Sequence, residues 1–363
     1  DLAEAVQAAL FGMGRLEPLL EDESIANIDI NGCDEVWIDR TDGRRERGEA
    51  IADSDAQLID LVRAVATYTG LSSRAWDVSN PWLTMRLPDG SRLAALMAVV
   101  DRPHLSIRCY RLQKVVLEDL FVLGGFSAQV GAFLRAAVRG RQNLMISGET
   151  FAGKTTLLRA LGNEIAPEER LITAEHFREL GFTTFRDLHP NCVELEERPP
   201  NAEGVGAITL DELVEMCRRL DPDRLIVGEV IGGEIVAMLD AMTQGEDGSL
   251  STIHARNSKM VFQRIAAYAI KSHHRLPVEA SYMLTAGALD FIVHMSKRST
   301  PDGTVQRQVS SVREVIAYDG TQIISSEVFG SADGVTAHAA APVTDARALV
   351  LADNGYDQSE WAS

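Results

Sequence analysis

A chain of 363 residues has room for two domains, and 45% hydrophobic against 24% charged residues is the make-up of a folded protein, not a disordered one. With 35 basic and 53 acidic residues the formal net charge is −18, a surface that repels a phosphate backbone and speaks against nucleic acid as a partner. No apolar run reaches the ~20 residues of a membrane-spanning helix, and Cys33, Cys109, Cys192 and Cys217 form no C-x-x-C pair, so neither a cysteine zinc site nor a disulfide framework is expected.

Residues 1–20 read as a helical segment, with Leu2, Val6, Leu10 and Met13 at helical spacing. Asp1, Glu4 and Glu17 do not suit a signal peptide. The chain opens on Asp1, so a native segment is expected ahead of it. "EVWID" (Glu35–Asp39) is a strand running into an Asp-, Gly- and Arg-rich turn. Asp53–Gly70 forms an amphipathic helix, with Leu58, Leu61, Val62, Val65 and Tyr68 on one face and Gly70 as its stop. Residues 81–100 give strands joined at Asp89-Gly90. Residues 21–111 are thus expected to make a smaller α+β domain, with a linker over 112–118.

From residue 119 to 330 the pattern alternates. Strands are expected at Asn143–Ser147, Arg170–Glu175, Arg224–Glu229 and Ser249–His254, and helices at Lys154–Ile165, Thr209–Leu220 and Gly233–Gly245. Thr209 and Glu212 have the spacing of a capping box. Apolar strands alternating with helices predict a mainly parallel sheet covered on both faces, an α/β fold. "DFIVHMSK" is a later strand, ahead of a hairpin at Asp319-Gly320. Residues 331–363 read as an acidic, Ala-rich tail with one short helix near Thr344–Leu351.

The chemistry concentrates in four places. Gly148-Glu149-Thr150-Phe151-Ala152-Gly153-Lys154-Thr155 fits G-x-x-x-x-G-K-T between a strand and a helix. Glycines let successive backbone N–H groups turn inward on a phosphate, and the following helix adds positive potential. Lys154 can reach the β- and γ-phosphates, the Thr155 hydroxyl can ligate Mg²⁺, and Thr156 can contact the α-phosphate. Phe151 stands where a small residue is usual and is expected to point outward. Glu229, at the carboxyl end of "LIVGEV", can polarise a water for attack on the γ-phosphate. His254 ends "STIHA" and can bond the γ-phosphate, although a lone histidine in an apolar strand is more often structural. Glu175, in "LITAEH", can hold a Mg²⁺-bound water. Elsewhere, His273-His274 has no further ligand at metal spacing and reads as a loop pair. Trp37, Trp76 and Trp82 read as core, and Glu196-Glu197 as solvated surface.

In this order, "GETFAGKTT", "LITAEH", "RLIVGEV" and "GSLSTIHA" resemble the Walker A, Asp box, Walker B and His box of the secretion ATPase superfamily of type II secretion, type IV pili and type IV secretion. "ERPPNAEGVGAITLDELV", "PVEASYMLTAGALDFIV" and "LPDGSRLAALMAVVDRPHLSIRCY" look like the CpaF-type motors of the tight-adherence (Flp) pilus, and the likeness covers roughly residues 25–330. The resemblance implies a RecA-like P-loop ATPase domain preceded by the α+β domain, with ATP and Mg²⁺ as ligands. It implies a homohexamer in which each nucleotide sits between the two domains. Residue by residue, Lys154 and Thr155 look like the phosphate and Mg²⁺ ligands, Glu229 like the catalytic carboxylate, His254 like the His-box residue and Glu175 like the Asp-box carboxylate. Arg92 and Arg108 resemble the arginines that reach the nucleotide from the N-terminal domain, with Arg198 and Arg218 as further phosphate-side candidates. The chain departs from the family at Phe151, at His176 where an acid often follows Glu175, and at Ile231 in place of an arginine. These departures bear on turnover more than on binding.

The resemblance further implies a cytoplasmic motor at the inner face of the membrane, working on an inner-membrane platform protein. The rivals are a nucleotide-gated scaffold that scarcely turns over, and a RecA-like nucleic-acid motor, which the charge disfavours. No N-K-x-D or T-K-x-D guanine-reading motif follows the loop.

Overall fold

The computed structural model describes residues 13–68, 76–110, 114–201, 203–299, 305–331 and 336–361. Of the expected first helix, Leu2, Val6 and Leu10 lie outside these residues, as do Gly70, residue 111 and residues 112 and 113 of the expected linker. Contacts divide the chain into two compact units, one of Asp1–Gln113 with Arg198–Ala207, the other of Lys114–Glu197 with Ile208–Ser363.

In the first unit a short helix α1 (Glu17–Glu21) leads into strands β1 (Ile25–Asn31), β2 (Val36–Arg40) and β3 (Arg45–Gly48). Helix α2 (Asp55–Tyr68) follows, then β4 (Trp82–Arg86), β5 (Arg92–Leu96) and β6 (His104–Arg108). The six strands form one antiparallel sheet in the order β3-β2-β1-β6-β5-β4. Burial alternates along the strands, so Leu83, Met85, Leu93, Ala95, Leu105 and Ile107 face inward while their neighbours face out. Leu58, Val62 and Val65, at i, i+4 and i+7 of α2, join the same core. The β4–β5 hairpin turns at Asp89-Gly90, where Gly90 takes φ +92° and a Cβ would stand 2.7 Å from the Tyr110 ring.

The second unit begins with helices α3 (Leu117–Val122) and α4 (Ala128–Arg139), then β7 (Leu144–Gly148), α5 (Lys154–Gly162), β8 (Leu171–Glu175) and β9 (Cys192–Glu196). It continues through α6 (Leu210–Cys217), β10 (Arg224–Val230), α7 (Glu234–Thr243), β11 (Leu250–His254), α8 (Met260–Lys271) and α9 (Val278–Ala288). Strands β12 (Phe291–Ser299), β13 (Val305–Tyr318), β14 (Ile323–Gly330) and β15 (His338–Ala339), then α10 (Asp345–Asp353), complete it. The strand order is β15-β14-β13-β12-β7-β11-β10-β8-β9. From β12 to β9 every pair is parallel, while β13, β14 and β15 add antiparallel. All five residues of β7 and of β8 are buried, as strands covered on both faces require. This is the mainly parallel α/β sheet, preceded by a smaller α+β unit, that the sequence predicts.

The last described residues pack onto this sheet. Ala337, Val343, Leu351 and Tyr356 share a core with Phe133, whose ring meets those of Phe291, Phe329 and Tyr356 edge-on at 5.0–5.4 Å. Apolar side chains spaced through an acidic stretch supply that buried face. The Thr344 N–H and hydroxyl donate to Glu314, and Arg347 pairs with Asp290.

Candidate active site

Strand β7 delivers the phosphate-loop sequence at its carboxyl end. A Cβ on Gly148 would stand 2.6 Å from the Met295 carbonyl of β12, so only glycine fits there. Gly153, at φ +92°, caps α5 without a side chain. The N–H groups of Thr155 and Thr156, in the first turn, have no acceptor within the helix and gain no side-chain cap from Gly153. Such a cradle fits an anionic phosphate. Phe151 holds a left-handed backbone, φ +62°, with its side chain exposed. Lys297 of β12 donates to the Thr150 carbonyl (2.8 Å), and Arg307 of β13 donates to that of Phe151 (2.9 Å). Neither cation was singled out from the sequence; they arrive through sheet neighbours about 150 positions away.

Lys154 is 7% exposed, and its ammonium lies 3.3 Å from the Glu149 carbonyl, 3.2 Å from His254 Nδ1 and 3.8 Å from Glu229 Oε1. His254 Nε2 lies 2.9 Å from the same Glu229 oxygen. The strand order explains this convergence. Strand β11 stands between β7 and β10, and His254 pairs in register with Gly148. The histidine at its end therefore lies between the loop lysine and the strand-end glutamate. An ammonium only donates, so Nδ1 accepts and the ring proton sits on Nε2, directed at Glu229.

Glu175 ends β8, one strand beyond. Its Oε1 accepts from the N–H groups of Glu179 (3.0 Å) and Leu180 (3.1 Å), while Oε2 is buried with no hydrogen-bond partner among the described residues. A Cβ on Gly228, the residue before Glu229, would stand 2.8 Å from its Cγ. The buried orphan oxygen and the Thr155 hydroxyl at the start of α5 are donors of the hard, oxygen type that Mg²⁺ takes. His176 pairs with Glu197. Glu234, also missed in the sequence, accepts from the N–H groups of Ile231 (2.5 Å) and Gly232 (2.7 Å) and fixes the turn after Glu229. The only advance sign of it was an acid in the first turn of a helix.

Burial pushes the Glu175 carboxyl from its ordinary 4.5 up to about 8, the two backbone N–H bonds opposing it only in part. Between those values the folded chain holds a proton that the unfolded chain has released. The stability this contributes is full below 4.5 and is lost as pH rises through about 8. Glu175→Gln removes the dependence. In melts without metal or nucleotide, its advantage over wild type is expected to grow from pH ~5 to ~8; parallel profiles would contradict it.

The arginines part company. Arg92 and Arg108 are cross-strand partners in the first unit, and Arg86, not anticipated, faces Arg92 from β4, so the three share one face of the sheet. Arg198 donates to the Gly206 carbonyl within its own loop (2.9 Å). Arg218 is not brought to the phosphate loop within the chain. It follows α6 and precedes β10, which puts it at the amino edge of the sheet, bonded to Gln244 and 3.8 Å from Glu246.

Residues 10–328 match the family model described as Type II/IV secretion system protein. A Mycobacterium tuberculosis protein provisionally named for conjugal transfer is 32% identical over 301 residues, which are 80% of this chain and 82% of the relative. Type IV secretion system protein PtlH of Bordetella pertussis is 29% identical over 326 residues, 82% of this chain and 94% of the relative. The solved structure of the Legionella pneumophila ATPase DotB, 16% identical, aligns with a TM-score of 0.57 over 85% of this chain and 81% of its own. That likeness shows the shared fold, a RecA-like unit with an N-terminal domain before it. Among the described residues no helix is long and apolar enough to cross a membrane. The chain belongs to the Type II/IV secretion system protein family.

Proposed function

We propose that this chain hydrolyses ATP and, as a homohexamer, converts the reaction into domain motion that drives pilus assembly of the Flp type or secretion. The convergence of Lys154, His254 and Glu229 on adjacent strand ends carries the reading. In it, the N–H groups from Gly148 to Thr156 and the Lys154 ammonium bind the phosphates. Glu229 accepts the proton of the attacking water, and His254 holds that carboxylate in place through Nε2. Thr155 would hold Mg²⁺ and Glu175 one of its bound waters, and the ion supplies charge neutralisation at the phosphates when bound. Arg92 and Arg108 are assigned to the nucleotide from the other domain, where a guanidinium can grip a terminal phosphate and release it after hydrolysis. The −18 surface suits the Lys- and Arg-rich cytoplasmic loops of an inner-membrane platform protein.

The test is nucleotide affinity and phosphate release, with mass measured with and without a non-hydrolysable ATP analogue. Lys154→Ala, which removes a charge-assisted bond, is expected to weaken binding by about 10- to 100-fold. A wild-type chain with no affinity for adenine nucleotides would end the reading; a chain that binds ATP yet stays monomeric would end its hexameric part.

A further inference from the structure

The sequence leaves His273-His274 as a loop pair, but the fold brings a third donor to it. Asp211, in the first turn of α6, places Oδ2 3.0 Å from His273 Nδ1. One ligand atom from each of Asp211, His273 and His274 lies within 4.8 Å of the others, so all three can approach a common point. The two imidazoles stand side by side, ring centroids 3.8 Å apart. Asp211 Oδ1 is buried and has no hydrogen-bond partner among the described residues. A carboxylate with one oxygen on an imidazole and the other buried without a donor is an incomplete arrangement. A cation on that carboxylate would offset its buried negative charge.

We propose that Asp211, His273 and His274 form a binding site for a transition-metal dication, zinc foremost, with water completing the coordination. Two imidazoles and one carboxylate are the donor set of zinc sites that keep a position open. Around zinc, donors at ~2.0 Å stand roughly 3.3 Å apart, so the three atoms need to close only modestly. Mg²⁺ prefers oxygen donors and does not compete well for imidazoles. Glu212 and Glu215, on the same helix, act electrostatically on Asp211 and add negative potential that favours a cation. The site ties the start of α6 to the loop between α8 and α9. That loop borders the turn after Glu229, since a Cβ on Gly233 would stand 3.0 Å from the Ser272 Cβ. The bound metal therefore braces a neighbour of the candidate active site without belonging to it.

The experiment is calorimetric titration of the chelator-stripped full chain with zinc chloride, repeated with cobalt(II) read by its visible absorption. Wild type is expected to bind one zinc per chain. His274→Ala and Asp211→Asn should each weaken that binding about tenfold or more, with circular dichroism confirming that both variants fold. His254→Ala, which alters a separate histidine–carboxylate pair, should leave this zinc in place. No binding by wild type at ~100 µM zinc would overturn the site. Equal affinity in His274→Ala and wild type would overturn it too, as would zinc lost only in His254→Ala.

Discussion

Glu229→Gln is expected to leave ATP bound while slowing phosphate release by about 10²–10⁴-fold, the usual contribution of a positioned general base. Glutamine keeps the length of the side chain and an acceptor oxygen, so the His254 Nε2 contact, 2.9 Å in the wild type, can persist. What it loses is the ability to take a proton. Lys154 and the loop backbone, to which binding is assigned, are untouched, so affinity should change little. The separation of rate from affinity is what identifies a group acting in the transition state. Single-turnover measurement is the right readout, because slow product release would mask a slower chemical step. Equal single-turnover rates in wild type and variant would remove Glu229 from the role of base. They would favour the rival in which the chain binds ATP and serves as a nucleotide-gated scaffold.

How far the site was legible in advance depended on whether its signal was local. The phosphate loop is eight consecutive residues between a strand and a helix, and spacing alone exposes it. Strands β7 and β8 were legible because burial on both faces calls for mostly apolar runs. Strand β9, "CVELE", was not: it lies at the sheet edge, is half-buried throughout and mixes charge with apolar residues. The C-terminal stretch hid its packing in a similar way, with Val343, Leu351 and Tyr356 spaced among alanines and polar residues. Lys297 and Arg307 depend on β12 lying beside β7, which no spacing rule encodes. The place of Arg218 at the amino edge, beside Gln244 and Glu246, is likewise set by the sheet order and not by any local spacing. The approach of Asp211 to His273-His274 was hidden for the reason Lys297 was, because it lies on a helix about 60 positions away in sequence.

Breaking the Arg224–Glu169 pair is expected to destabilise the second unit by about 3–5 kcal/mol. Arg224 opens β10 at the amino edge and is 1% exposed. Its Nε and Nη2 donate to the two oxygens of Glu169 (2.7 and 3.1 Å), and Nη1 donates to the carbonyls of Val138 (3.0 Å) and Gly248 (3.3 Å). The guanidinium thus joins the end of α4, the loop before β8 and the loop before β11. Gly248, at φ +82°, leaves it room, for a Cβ there would stand 1.9 Å from Nη1. Glu169→Ala keeps the cation buried and removes its counter-charge, so the cost is that of an uncompensated charge rather than of the lost contact. Replacing both residues by leucine removes the charge as well, and the double variant should lose much less than the sum of Glu169→Leu and Arg224→Leu. Chemical denaturation of the four proteins gives that cycle. Because this pair occupies the end of the sheet opposite the phosphate loop, phosphate release per folded molecule should be unchanged in Glu169→Ala. Additive single losses, or a cost for Glu169→Ala below ~1 kcal/mol, would mean that solvent reaches Arg224 and that the amino edge of the sheet is not held by this pair.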